Sequence, residues 1–74
     1  MKIKFTKDTE IEVVTGYDKK NDDIVTENEF FKVGEIHDVD LLEDLGDAGI
    51  NIQFGCGDCA YNVSKSCFEI IQTD

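Results

Sequence analysis

Short runs of alternating apolar and polar residues between Phe30 and Ile71 constrain the fold of this chain more than any other feature. Glycine-containing turns (Gly-Glu, Gly-Asp and Gly-Cys-Gly-Asp) interrupt these runs at short intervals. Alternation is typical of strands that bury one face, and closely spaced turns are typical of small closed β-barrels. The pattern therefore predicts an all-β domain. It does not indicate a function, because such barrels carry many unrelated activities.

Along the whole chain, the pattern predicts a small barrel of about five to six short antiparallel strands with one 3₁₀ turn. The best-marked strands lie at residues 10–15, 36–42, 50–54, 59–63 and 67–71, with shorter candidates at 3–5 and 24–26. Residues 16–23 are expected to form a polar loop, 43–49 a hairpin connection and 64–66 the 3₁₀ turn. A helix over residues 40–45 is the competing interpretation, but two glycines limit it to less than two turns.

Length and composition predict one domain over residues 1–74 with a thin core. A chain of 74 residues buries only about 60% of the surface that its unfolded form exposes. In the final hairpin, Cys59, Tyr61 and Val63 are expected to share one face. The residues expected to supply most of the core are Ile11, Val13, Phe31, Val33, Ile52, Phe54, Val63 and Phe68.

The charge balance excludes several classes of partner. The chain carries 17 acidic residues against 7 basic ones, all of them Lys, for a net charge of −10. Nucleic-acid binding depends on neutralising phosphates with Lys and Arg, so direct binding of DNA or RNA is not expected. Anionic membranes are disfavoured for the same reason, and no apolar run approaches the roughly 20 residues that span a bilayer. With no export signal, we expect a cytoplasmic protein with reduced thiols.

Several segments resemble the SH3-like barrels in the order in which they occur. Phe31-Lys32-Val33-Gly34-Glu35, then Val39, a glycine-rich hairpin, and a Ser-Lys-Ser link into a final strand follow the arrangement of that family. The likeness covers residues 30–71. The chain is also similar to small uncharacterised proteins of phage and bacterial genomes that carry an Ile-Gln-Phe-Gly-Asp-Gly-like hairpin, which suggests a phage or mobile-element relationship.

The departures from that family limit what the resemblance implies. Peptide-binding SH3 domains grip proline-rich ligands with Tyr and Trp side chains, whereas this chain has no Trp and only Tyr17 and Tyr61. The basic loops of RNA-facing SH3-like modules are also missing. The resemblance therefore predicts a fold and assigns no functional residue.

Three cysteines and the single histidine form a possible metal-binding set. Cys56 and Cys59 are spaced as zinc ligands often are, with Cys67 and His37 as candidate third and fourth ligands. A thiol-dependent use, with a disulfide between Cys56 and Cys59, is a further alternative. The purely structural interpretation is that Cys59 and Cys67 are small buried apolar residues, Cys56 is a surface thiol and His37 faces solvent. We favour this last interpretation, and we expect no cofactor.

Acidic side chains are the remaining candidates for a site, because carboxylates without a placed nucleophile or base do not indicate catalysis. If the strand is regular, Asp38 and Asp40 lie on the face opposite His37 and Val39. The sequence therefore predicts a small acidic, non-catalytic protein-interaction domain whose partner is a basic protein, with the zinc- or thiol-dependent protein as the alternative. The residues predicted to bind the partner are Glu35, Asp38, Asp40, Glu43, Asp44 and Asp47.

Overall fold

The computed structural model describes residues 1–73. This part of the chain contains seven antiparallel strands and two single 3₁₀ turns, joined by loops and turns. The strands are β1 (Lys2–Phe5), β2 (Thr9–Asp18), β3 (Asp23–Phe31), β4 (Ile36–Asp44), β5 (Ile50–Phe54), β6 (Cys59–Val63) and β7 (Phe68–Gln72). The turns η1 (Gly46–Ala48) and η2 (Lys65–Cys67) precede β5 and β7. The all-β prediction is confirmed, but residues 1–73 hold seven strands where five to six were predicted and two 3₁₀ turns where one was predicted, and residues 40–45 are not helical.

The strands form one sheet in the order β3-β2-β6-β5-β4-β1-β7. Strand β4 changes partner along its length: Ile36 to Asp38 pair with β1, and Val39 onward pairs with β5. In residues 1–73 no pairing joins β3 to β7, so the sheet has two open ends. Strand pairing therefore does not close the sheet into the predicted barrel.

Twelve apolar residues form one buried cluster at the centre of the sheet. Aromatic rings make up its middle, where Phe31 stacks on Phe5 with centroids 4.6 Å apart and on Phe54 at 5.5 Å. Burying an apolar side chain of this size completely stabilises the folded state by about 1.5–3 kcal/mol. The cluster comprises Ile3, Phe5, Ile11, Val13, Phe31, Val39, Ile50, Ile52, Phe54, Ala60, Val63 and Phe68.

Seven of the eight predicted core residues are buried, and Val33 is the exception. Its side chain is 62% exposed because residues 32–35 form a turn between β3 and β4. Conversely, Ile3 and Phe5 of β1 are fully buried but were not predicted. Strand β1 lies between β4 and β7, so both of these side chains reach the centre of the core.

Strand β6 does not keep the predicted alternation of Cys59, Tyr61 and Val63 on one face. Ala60 and Val63 are buried, whereas Tyr61 is 52% exposed. The cause is Asn62, whose φ of 56° interrupts the extended backbone and turns Val63 back to the core. Asn tolerates this left-handed conformation better than most residues.

Strands β2 and β3 extend well beyond the predicted segments and form a projecting hairpin. Residues 16–18 and 27–29, expected as loop and solvated link, belong to the ladder, and only residues 19–22 form the connecting turn. None of residues 14–30 is buried, so we call this segment the arm. Its projection fits the shape of the molecule, which extends 40 Å along one axis and 23 and 22 Å along the others.

The two 3₁₀ turns are the only helical segments in residues 1–73. Neither has the length and apolar character that crossing a bilayer requires.

Candidate interaction surface

Three of the predicted acidic residues share the outer face of β4. The register places Asp38 opposite Lys2, Asp40 opposite Gln53 and Glu43 opposite Asn51, while Val39 between them is buried. Asp40 and Glu43 are three residues apart, a spacing that would put them on opposite faces of a regular strand. A bulge between Leu41 and Glu43 adds one residue and restores Glu43 to the outer face. We call Asp38, Asp40 and Glu43 the β4 face.

A shallow depression lies beside the β4 face and is lined in part by two of its acidic residues. It has a volume of about 150 Å³ and is lined by Asp38, Asp40, Gln53 and Gly55, together with Met1 and Val39. Among residues 1–73, no ion pair engages the carboxylates of Asp38, Asp40 or Glu43. The depression is therefore bordered by negatively charged residues, and a cationic side chain can fit into it.

Asp44 lies on the same strand but is already paired. It lies opposite Ile50, on the core-facing side, and its Oδ1 is 2.8 Å from Lys65 Nζ. The same oxygen accepts a hydrogen bond from Gly46 N–H at 2.9 Å. The Lys65 hydrogen bond and then the Gly46 bond hold the pKa of Asp44 below its usual value. Asp44 thus fastens β4 to the two 3₁₀ turns, and Asp47 is exposed on η1.

Glu35 is engaged in the turn between β3 and β4. Its Oε2 accepts a hydrogen bond from Lys32 N–H, and its Oε1 lies 3.2 Å from His37 Nε2. The Lys32 N–H, followed by His37, lowers the pKa of the Glu35 carboxyl against the opposing effect of desolvation. On the other side of the turn, Asp8 Oδ1 accepts from Val33 N–H at 2.9 Å. Glu35 therefore serves the fold locally.

His37 does not face solvent, as the purely structural interpretation predicted it would. Its side chain is 31% exposed and packs edge-on against three phenylalanines of the core. The ring centroids lie 5.1 Å from Phe31, 5.8 Å from Phe54 and 5.9 Å from Phe5. An aromatic ring prefers such an edge-to-face arrangement, so His37 caps the aromatic stack.

The structure does not gather the candidate metal ligands. In residues 1–73, no group of three His, Cys, Asp or Glu side chains is placed to hold a metal ion. Cys56 is exposed in the turn after β5, Cys59 starts β6 with its thiol 3.8 Å from Gly57 O, and Cys67 packs against the core. All three are free thiols. Cys59 and Cys67 are half-buried, whereas the purely structural interpretation predicted that they would be buried.

Exposed apolar residues on the arm were not anticipated as functional features. Tyr17 is 55% exposed, Ile24 57% and Phe30 56%, and Tyr17 and Ile24 lie opposite each other in the ladder. The available signal was the presence of apolar residues within the acidic segment 22–29. Because residues 16–23 were expected to form a loop, the sequence did not indicate that Tyr17 and Ile24 face each other across two strands.

Comparison of the chain with protein-family models, with curated proteins and with solved structures finds no match.

Proposed function

We propose that this protein is a small non-catalytic interaction domain that binds a basic protein through its β4 face. The observation that supports this most directly is the depression lined by Asp38 and Asp40, whose carboxylates have no ion-pair partner within residues 1–73. A Lys or Arg side chain placed there forms charge-assisted hydrogen bonds, which are about twice as strong as neutral ones. Gln53, which lines the same depression, adds a polar rim.

The remaining residues of the predicted acidic set support this site indirectly. Asp44 and Glu35 hold β4 at its two ends through Lys65 and the turn at residues 32–35. A fixed strand keeps Asp38 and Asp40 at a constant separation, which lowers the ordering cost of binding. We assign partner contact to the β4 face and Asp47, and positioning to Glu35 and Asp44.

The assignment as a non-catalytic domain is supported by the environment of the histidine. His37 is the chain's only histidine, and its ring is held by Glu35 on one side and the aromatic stack on the other. A general base must reach a nucleophile or a bound substrate, and this ring is committed to packing.

We also propose that the chain is related to SH3-like domains. Four features support this relationship: a long hairpin follows β1, β4 passes from β1 to β5, three consecutive strands form a meander, and a 3₁₀ turn precedes the strand that returns to β1. The distance between β3 and β7 in solution, measured with paired spin labels on the two strands, tests this relationship.

Charge reversal on the β4 face tests the proposed function. The probe is a tetralysine peptide titrated into isotopically labelled protein, with amide chemical shifts as the readout. We expect shifts at Asp38, Asp40, Gln53 and Gly55, and at least a tenfold loss of affinity in the double variant Asp38→Lys and Asp40→Lys. That loss corresponds to about 1.4 kcal/mol, near the lower end for hydrogen bonds to a charged group.

A matched control separates a defined site from attraction to net charge. Glu10→Lys with Glu12→Lys makes the same change in charge, also at alternate exposed positions on the outer face of a strand. We expect this control to bind within about twofold of the wild type at 0.15 M salt, where the Debye length is about 8 Å. Equal losses in both variants, or none in either, would overturn the proposal.

A further inference from the structure

Strand β3 presents an open backbone edge on the side away from β2. It spans nine residues, Asp23–Phe31, and ends the strand order, and within residues 1–73 its one partner is β2. In an antiparallel ladder every second residue directs its N–H and C=O away from its partner strand. An edge of about 30 Å, at about 3.3 Å per residue, is long enough to template another strand.

Two hydrogen bonds identify which residues face outward. Ile24 N–H donates to its neighbour Asp23 Oδ1 at 2.8 Å, which is possible when this N–H points away from β2. Val25 O accepts from Thr15 Oγ1 of β2 at 3.4 Å, as expected for a carbonyl that points inward. Alternation then directs the backbone groups of Thr26, Asn28 and Phe30 outward with those of Ile24.

The side chains of β3 are sorted by face. Asp23, Val25, Glu27 and Glu29 share one face, and its three carboxylates carry all of the charge of β3 because the strand contains no Lys or Arg. The other face carries Ile24 and Phe30, which are 57% and 56% exposed, with two polar residues between them. A strand added at this edge would meet three carboxylates and Val25 on one face, and Ile24 and Phe30 with Thr26 and Asn28 between them on the other.

We propose that the β3 edge binds an extended segment of a partner protein in which Lys or Arg alternates with apolar residues. The segment adds as an eighth strand, so backbone hydrogen bonds to Thr26 and Asn28 provide affinity and the two faces provide specificity. This surface is separate from the β4 face, and the inference goes beyond the function proposed above.

Charge excludes a second copy of this chain as the occupant. Antiparallel pairing of two β3 edges about a two-fold axis near the middle of the strand places carboxylates opposite each other in each register: Glu27 opposite Glu27, Glu27 opposite Glu29, or Asp23 opposite Glu29. Like charges directly opposite each other destabilise a ladder. The same carboxylates that prevent edge-to-edge self-association therefore favour a basic strand.

The probe for this proposal is the capped peptide Lys-Val-Lys-Val-Lys-Val-Lys, with a control peptide of the same composition in which the four Lys precede the three Val. We expect the alternating peptide to bind at least tenfold more tightly than the block control. At saturation, hydrogen exchange of the Thr26 and Asn28 amides should slow at least tenfold. Equal binding of both peptides, or protection confined to other strands, would refute the proposal.

Two variants locate the binding to the edge. Asn28→Pro removes one outward N–H while leaving the β2 ladder intact, a position at which edge strands tolerate Pro. Glu27→Lys with Glu29→Lys reverses the charged face. We expect each to lower affinity for the alternating peptide at least tenfold, with native amide spectra outside the arm.

The β4 variant Asp38→Lys with Asp40→Lys serves as the control that distinguishes the two surfaces. We expect it to bind the alternating peptide within about twofold of the wild type, whatever its effect on tetralysine. Loss of alternating-peptide binding in this variant, with retention in the β3 variants, would overturn the inference but leave the β4 proposal standing. Self-association of the wild type through β3 would also overturn it, by showing that the carboxylates do not exclude a second copy.

Discussion

Strand β5 and the arm both pair in antiparallel ladders, but different interactions fix their registers. In β5 alternate residues Ile50, Ile52 and Phe54 are buried, whereas none of residues 14–30 in the arm is buried. A one-residue slip in β5 would move its apolar side chains to solvent, so burial fixes the register. The arm has no such penalty, and its register depends on its bulge, its turn and its hydrogen bonds.

Polar contacts at the tip hold the arm in its register. The Asp18 carboxylate accepts hydrogen bonds from Lys20 N–H at 3.0 Å, Asn21 N–H at 3.3 Å and Asn21 Nδ2 at 2.8 Å, and Tyr17 donates to Asp22. A two-stranded ribbon without a buried face is at best marginally stable alone. The arm is therefore expected to open locally at lower free energy than the core.

The largest expected effect comes from truncating one isoleucine in each region. Ile52→Ala should lower the free energy of unfolding by about 2–5 kcal/mol, because it leaves a cavity at a fully buried site. Ile24→Ala should change it by no more than about 0.5 kcal/mol, because the side chain is largely exposed. Urea denaturation of both variants provides the measurement. Similar losses would show that the arm contributes to the core after all.

A second pair of variants tests the hairpin connection before β5. Gly49 has φ of 106°, and a Cβ there would lie 2.3 Å from Val63 O, so Gly49→Ala forces the backbones apart. We expect a loss of about 2–3 kcal/mol or more, since this conformation is almost restricted to glycine. Gly46→Ala, with φ of 68° but no atom within 4 Å, should cost about 1 kcal/mol. Thermal unfolding compares them, and equal costs would mean that the contact with Val63 relaxes freely.

A smaller effect is expected from removing the tip carboxylate. Asp18→Ala should increase hydrogen exchange several-fold within the arm and leave the amides of β5 unchanged, since its hydrogen bonds are confined to the turn. Exchange measured residue by residue provides the test. Faster exchange in β5 as well would show that the arm and the core open together.

Acid should have the same local effect as that substitution. The Asn21 side chain, followed by the backbone N–H groups of Asn21 and Lys20, lowers the pKa of Asp18 in the folded state. Its stabilisation is therefore complete above the unfolded pKa of about 3.9 and is lost as the pH falls through the folded pKa. In Asp18→Ala the exchange difference between arm and core should no longer change across this pH range.

The same contrast explains what could be predicted from the sequence. Where a strand buries one face, as at Ile52 and Phe54, alternation gave both the strand and its core residues. In the arm, neither face is buried, so the strands carried no apolar period and residues 16–18 were mistaken for loop. Sheet order and the open ends depend on long-range pairing, which local patterns do not encode.

For the candidate surface, alternation correctly placed Asp38 and Asp40 opposite Val39. It could not show that Asp44 pairs with Lys65, 21 residues away in the chain, or that Glu35 closes a turn. The bulge that brings Glu43 to the same face is likewise invisible in the pattern, because a bulge depends on the partner strand. Which acids share a face was therefore only partly predictable.

The smallest perturbation uses the three thiols as reporters of the two regions. Cys56 is exposed in a turn, Cys59 pairs with Val14 where the arm joins β6, and Cys67 packs against the core. Alkylation of single-cysteine variants should therefore be fastest at Cys56, slower at Cys59 and slowest at Cys67. Replacement of all three by Ser should leave the fold intact, with about 1 kcal/mol or less lost at each half-buried site.

The thiol rates also separate arm opening from global unfolding. Asp18→Ala loosens only the arm, so it should accelerate alkylation of Cys59, at the junction with Val14, without affecting Cys67. Ile52→Ala lowers global stability and should accelerate Cys67 as well. Parallel changes at Cys59 and Cys67 in both variants would mean that the arm and the core open as one unit, because a thiol at the junction can respond alone only if the arm opens first.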